Sequence, residues 1–266
     1  MNAEEIRNIR ITEETFWWFR GMRAILWPWL DHILIRFHAP RVAELGCGTG
    51  GFAAHFTKRY KHPVVAMDLE PAGLRHAREL GLDELVCGDI QAVPLASESI
   101  DLLLSLDVIV HLERGKEDAA LQEFCRVLKP GGVLLIRVAA LDELHSRHSE
   151  YTWERQRFTK QRLRNALERA GFSIERIGYF NSLLMPVAWF KFRVWEPLTD
   201  AKPTSSLAPL PGWLNGTLSF PLRIEAICSK AGWTFPLGQS LICSATKSYG
   251  MDAGQPKYFR PRPEES

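Results

Sequence analysis

Apolar and polar positions along the chain alternate between short buried runs and stretches of helical spacing. Residues 42–45 read as a buried strand, and Phe52-Ala53-Ala54-His55-Phe56 opens a helical pattern. Further strand-like runs occupy 63–67, 84–88, 101–105 and 133–137, the last led in by Leu128-Lys129-Pro130-Gly131-Gly132. Strands alternating with helices predict a parallel sheet with crossover helices. Residues 172–180 and 240–246 read as two late strands. Thr159 is placed to cap a helix that carries Leu163, Ala166, Leu167 and Ala170 inward and stops at Gly171. The basic side chains of that region, from Arg155 to Arg169, read as a solvated face.

Both ends of the chain and one insertion depart from the alternation. Residues 3–37 read as helical and hold an aromatic cluster, Phe16-Trp17-Trp18-Phe19. Its plain reading is a core-facing stripe. A second reading is a flap over a ligand, with Arg20 or Arg23 free to pair with a carboxylate. The insertion at about 181–236 begins with 183–195, apolar on nearly all sides, then a Pro/Ser-rich loop at 202–211 and a helix near 222–231. A helix apolar all round is normally buried on two faces. The sheet would take one face of 183–195. The aromatic cluster, a second subunit or a membrane surface would take the other. The first is preferred, with Trp17 and Trp189 walling an acceptor pocket at the seam. The expected division is a helical flap at 1–38, a sheet domain at 39–247 with its cap, and a disordered polar tail at 248–266.

Composition narrows the class. The chain has 266 residues, 46% hydrophobic, with a formal charge of +2. That is enough to build a sizeable core, and the near-neutral charge does not call for nucleic acid. The five cysteines form no CxxC pair, which fits reduced thiols in a cytoplasmic protein. The acidic, polar start is unlike a signal peptide, and no apolar run is long enough to span a bilayer. No zinc spacing, no GxxxxGK[ST] loop and no internal repeat occurs.

Chemistry gathers at the strand ends. Gly46, Gly48 and Gly50 follow the first strand, with Cys47 and Thr49 between them. A glycine turn between a strand and a helix N-terminus offers backbone N–H groups to a nucleotide-like ligand. Taken alone it also fits the dinucleotide pattern GxGxxG through Gly46, Gly48 and Gly51. Glu44, Asp68, Asp89 and Leu106 fall at successive strand ends, so they converge on one crevice.

This succession, from Glu44 and the glycines through Asp68 and Asp89 to Leu128-Lys129-Pro130-Gly131-Gly132, resembles the class I S-adenosylmethionine (SAM) methyltransferase family. The resemblance is close over roughly 40–140. It implies a Rossmann-like, doubly wound, seven-stranded sheet with one antiparallel strand. It also implies SAM as cofactor and a small or medium-sized, apolar or aromatic acceptor. By resemblance, Gly46, Cys47, Gly48 and Gly50 line the methionine and ribose, and Glu44 anchors the network beneath the amino group. Asp68 accepts from the ribose hydroxyls, Leu69 and Ile90 flank the adenine, Asp89 meets its amino group, and Leu106 offers a carbonyl. Some relatives carry two acids and a histidine for a divalent metal after the fourth strand. Here Asp107 and His111 match, but Val110 replaces the second acid, so no metal is expected. His111 and His148 are the candidate general bases, followed by His145; for His111 a structural role held by a backbone carbonyl stays open. A nicotinamide oxidoreductase and a non-catalytic SAM-binding module are the rival classes. Glu44, Asp89 and the Lys129-Pro130-Gly131-Gly132 turn argue against the first. A homodimer stays open.

Overall fold

The structure is a computed structural model that describes residues 3–199, 202–208 and 210–248. The expected tail lies, from residue 249 onward, outside the described residues. Seven strands form one sheet: β1 Val42–Leu45, β2 Val64–Asp68, β3 Leu85–Cys87, β4 Ile100–Leu106, β5 Leu128–Ala139, β6 Phe172–Phe180 and β7 Ser240–Lys247. Their order is β3-β2-β1-β4-β5-β7-β6. β7 runs antiparallel to both neighbours, and the other pairs are parallel. The expected doubly wound architecture with one antiparallel strand is therefore present. Strand order reverses between β1 and β4, which opens a crevice beyond their carboxyl ends.

Alternation within each strand sends side chains to two cores. On one face Ala43, Leu45, Leu103 and Leu134 pack with α5 (Glu117–Val127) and α7 (Lys160–Arg169). The Thr159 hydroxyl accepts the Arg162 N–H at the start of α7, and Gly171 ends the helix at a φ of 94°. On the other face Val42, Leu102, Val133 and Leu135 meet α2 (Trp17–Leu34), α3 (Gly51–Tyr60) and α4 (Pro71–Glu79). The first helix, α1 (Ala3–Thr12), lies against α4. α2 buries Met22, Ile25, Leu26, Trp29, Leu30 and Ile33, a stripe at helical spacing.

The insertion after β6 differs from its expected packing. It contains α8 (Met185–Phe190), a π-helical continuation at Lys191–Trp195, and a long α9 (Gly212–Lys230). No residue of α8 or its continuation is buried. The expectation that 183–195 is enclosed on two faces is corrected: Trp189 is 48% and Trp195 61% exposed. The partner of α2 is α9 instead. Gly21 makes the approach close, because a Cβ there would lie 2.2 Å from a Leu222 methyl group. Trp29 donates its indole N–H to the Ser229 hydroxyl at 3.0 Å across the same seam. Glu225, fully buried on α9, accepts the Ser182 and Leu183 N–H groups at 2.7 and 2.8 Å. An expected short helix near 222–231 is thus a nineteen-residue one that begins at Gly212.

Candidate active site

The crevice floor is the turn from β1 into α3. Gly46, Gly48 and Gly50 have φ values of 83°, 56° and 81°, a region that favours glycine. A Cβ at Gly46 would meet Val108 at 2.3 Å, and one at Gly50 would meet Ala77 at 2.5 Å. At Gly48 a Cβ would meet nothing within 4 Å. The outer two glycines therefore seat the loop, and Gly48 leaves open space where a Cβ would stand, although the N–H groups of Gly46, Cys47, Gly48 and Gly50, expected to face a ligand, are donated within the protein. Cys47 between them is buried, and burial pushes its thiol pKa up, so it is not a thiolate nucleophile.

Two acids hold this loop from the strands beneath. Asp68 accepts the Gly48 N–H at 2.7 Å with one carboxylate oxygen and the Glu70 N–H at 2.9 Å with the other. Each oxygen keeps a lone pair for a further donor. Glu44 is 2% exposed, accepts the Ala53 N–H, and has no partner for its Oε2. Burial pushes its pKa up to about 8, against the pull of Arg137. An orphaned, buried carboxyl beneath an open glycine cradle fits a ligand that carries a cationic group and a polyol.

The remaining predicted positions surround this floor. Asp89 closes a turn by accepting the Gln91 N–H at 2.9 Å. Leu69 is exposed, whereas Ile90 is almost wholly covered by the core. Leu106 is half-buried at the end of β4. Asp107, at a φ of 60°, accepts two bonds from Arg137, at 3.0 and 2.6 Å. The Trp18 ring lies 4.9 Å from that guanidinium. The aromatic cluster of α2 thus does reach the strand ends, through Trp18. Among the described residues no cluster of three or more His, Cys, Asp or Glu could hold a metal.

The two candidate histidines have opposite hydrogen bonds. His111 follows β4 on a short turn, and its Nδ1 faces the Trp153 carbonyl oxygen at 3.3 Å. His148 lies on α6 (Arg147–Tyr151) and accepts the Ser206 N–H on Nδ1 at 3.1 Å. Burial lowers both pKa values. His145 is exposed. Arg147 donates to the Glu196 and Thr199 backbone carbonyls, so α6 is chiefly an anchor for the cap.

Three contacts around the glycine loop and α2 escaped sequence reasoning. Glu13, between α1 and α2, is 6% exposed, accepts the Thr49 hydroxyl at 2.5 Å and lies 3.5 Å from His76. It thereby ties the α1–α2 connection to the glycine loop. Arg23 donates to the Glu13 carbonyl at 2.8 Å, whereas Arg20 is exposed. Asn215 of α9 accepts the Trp17 N–H at 3.0 Å. The adjacent Glu13 and Glu14 look alike in sequence, and nothing local marks the one that turns inward.

The family described as "Methyltransferase domain" matches residues 43–136, the segment that contributes most of this floor. A malonyl-[acyl-carrier protein] O-methyltransferase from Yersinia pestis is 41% identical over 108 residues, 39% of each chain. One from Laribacter hongkongensis is 34% identical over 169 residues, 54% of this chain and 56% of that protein. The chain thus matches about half or less of these relatives' length. Among solved structures, a SAM-dependent methyltransferase from Thermotoga maritima superposes with a TM-score of 0.56 at 19% identity, covering 92% of this chain and 99% of that one. At that identity the likeness shows the fold alone. The match to a methyltransferase domain thus spans residues 43–136, the stretch that carries the glycine loop, Asp68 and Asp89.

Proposed function

We propose that this protein transfers a methyl group from SAM to a small or medium-sized, largely apolar or aromatic acceptor. The observation that carries this reading is the cradle itself: the open space at Gly48 and the orphaned Glu44 carboxyl, with Asp68 beside them. SAM supplies an electrophilic methyl group on sulfur. The protein's task is to align donor and acceptor and to exclude water. Asp68 binds the ribose hydroxyls, Glu44 faces the amino group, and Leu69 with Asp89 holds the adenine side. Trp18 and the α2–α9 seam near Asn215 form the apolar wall toward the acceptor. The malonyl-carrier relatives are matched over about half of their length or less, so their acceptor does not carry over.

Thermal shifts with SAM, S-adenosylhomocysteine and NAD test the cofactor. Stabilisation by NAD alone overturns the reading in favour of an oxidoreductase. Turnover of labelled SAM with a metabolite extract separates an enzyme from a non-catalytic SAM-binding module. Asp68→Ala is expected to weaken SAM binding by about 1–3 kcal/mol, the scale of lost hydrogen bonds to a charged group. Calorimetry that finds unchanged affinity in a folded variant removes Asp68 from the site.

A further inference from the structure

α9 has two apolar faces and only one of them is covered. Leu222 and its neighbours pack on α2. The opposite stripe holds Trp213, Phe220, Ile224 and Ile227, which are 73%, 62%, 39% and 70% exposed. At 100° per residue these four fall within an arc of about 60°. Arg223 and Lys230, both exposed, fall together along one flank of that arc. The stripe from Trp213 to Ile227 runs about 21 Å along the nineteen-residue helix, at 1.5 Å per residue. Elsewhere in the insertion the same chemistry recurs, with exposed Trp189 and Phe190 next to exposed Lys191 and Arg193.

Charge identifies the occupant. Among the described residues of the insertion, the acids are Glu196, which accepts the Arg147 N–H, and Glu225, which is fully buried. None of Lys191, Arg193, Arg223 or Lys230 is in an ion pair among the described residues. The face is therefore apolar and basic with no exposed acid among those residues. A second copy meeting it about a two-fold axis would bring two basic patches into one interface, and the acid at its edge, Asp31 beside Ile227 and Lys230, is already paired with Arg59. A bilayer with anionic headgroups satisfies both components: tryptophan and phenylalanine enter the interfacial layer, and the cations meet phosphate. Free-standing interfacial helices carry their polar residues on the opposite face. α9 does not need that, because its opposite face is packed on α2. No helix among the described residues is long and apolar enough to cross a membrane, so the seat lies in the plane of the surface.

We propose that the outer face of α9 docks on an anionic lipid surface. The test is co-sedimentation of the full chain with vesicles of mixed phosphatidylcholine and phosphatidylglycerol, against phosphatidylcholine alone. The wild type is expected to sediment with the mixed vesicles, less so as salt is raised. Arg223→Gln with Lys230→Gln is expected to lower partitioning roughly 25-fold, about five-fold per charge. Phe220→Ser with Ile227→Ser is expected to abolish sedimentation while circular dichroism stays native, since both side chains are exposed. A wild type that stays in the supernatant at low salt overturns the proposal. So does equal binding to neutral vesicles, or a dimer by light scattering that Phe220→Ser converts to monomer. Vesicle binding needs neither cofactor nor acceptor, so its failure leaves the methyl-transfer reading untouched.

Discussion

His111→Ala is expected to slow the chemical step roughly 10²–10⁴-fold, the usual contribution of a positioned general base, with SAM affinity unchanged. The hydrogen bond at 3.3 Å sets the tautomer. A carbonyl oxygen can only accept, so Nδ1 carries the proton and Nε2 keeps its lone pair. Burial lowers the pKa below its usual value, so the imidazole is neutral and ready to accept a proton at neutral pH. The sign follows: the acid limb of the rate profile should fall below pH 6.5, the unperturbed value, and the rate should be flat above it. His148 gives the opposite expectation. Its Nδ1 lone pair is taken by the Ser206 N–H, so its Nε2 bears the proton. His148→Ala should loosen the cap yet leave the single-turnover rate nearly intact. Single-turnover kinetics on both variants, at saturating SAM, separate the two. A His111→Ala enzyme with wild-type rate would mean that the chain works by alignment alone.

The turn from β1 into α3 and the strand ends around it were readable because their constraints are local. A positive-φ glycine, a strand-end acid and a turn of the Lys129-Pro130-Gly131-Gly132 kind each leave a mark within a few residues. Thr159 and Gly171 bracketed α7 for the same reason. The cap was not readable because its packing depends on which helix wins the contact with α2. Both 183–195 and α9 are apolar on two sides. Gly21 and Ser229 settled the choice by allowing close approach and a buried hydrogen bond to Trp29. Those two residues lie 208 positions apart, beyond any periodicity. Burial of Glu13 against Thr49 has the same long-range character. The histidine roles turned on tautomers, which depend on partners such as Trp153 and Ser206 that no spacing rule connects to them.

Glu44→Gln is expected to make the cofactor-free protein more stable and its ligand binding weaker. Glu44 ionises near pH 8 in the folded chain and near 4.5 in an ordinary setting. Between those values the folded state binds more protons than the unfolded state. Stability is therefore full below pH 4.5, falls as pH rises toward 8, and is level above that. Glutamine keeps the shape and cannot ionise, so the slope disappears. At 1.36 kcal/mol per pH unit from 4.5 to 7, the variant gains on the order of 3 kcal/mol at neutral pH. On the proposed reading the same carboxyl, once deprotonated, would pair with the ligand's ammonium group. S-adenosylhomocysteine should bind with release of a proton from Glu44, and the variant should lose about 1.5–3 kcal/mol of that affinity. Urea unfolding between pH 5 and pH 8 reads the first effect, and calorimetry in two buffers of different ionisation enthalpy reads the second. A variant that is no more stable at pH 7, and binds as tightly as the wild type without any change in proton release, would take Glu44 out of the cofactor site.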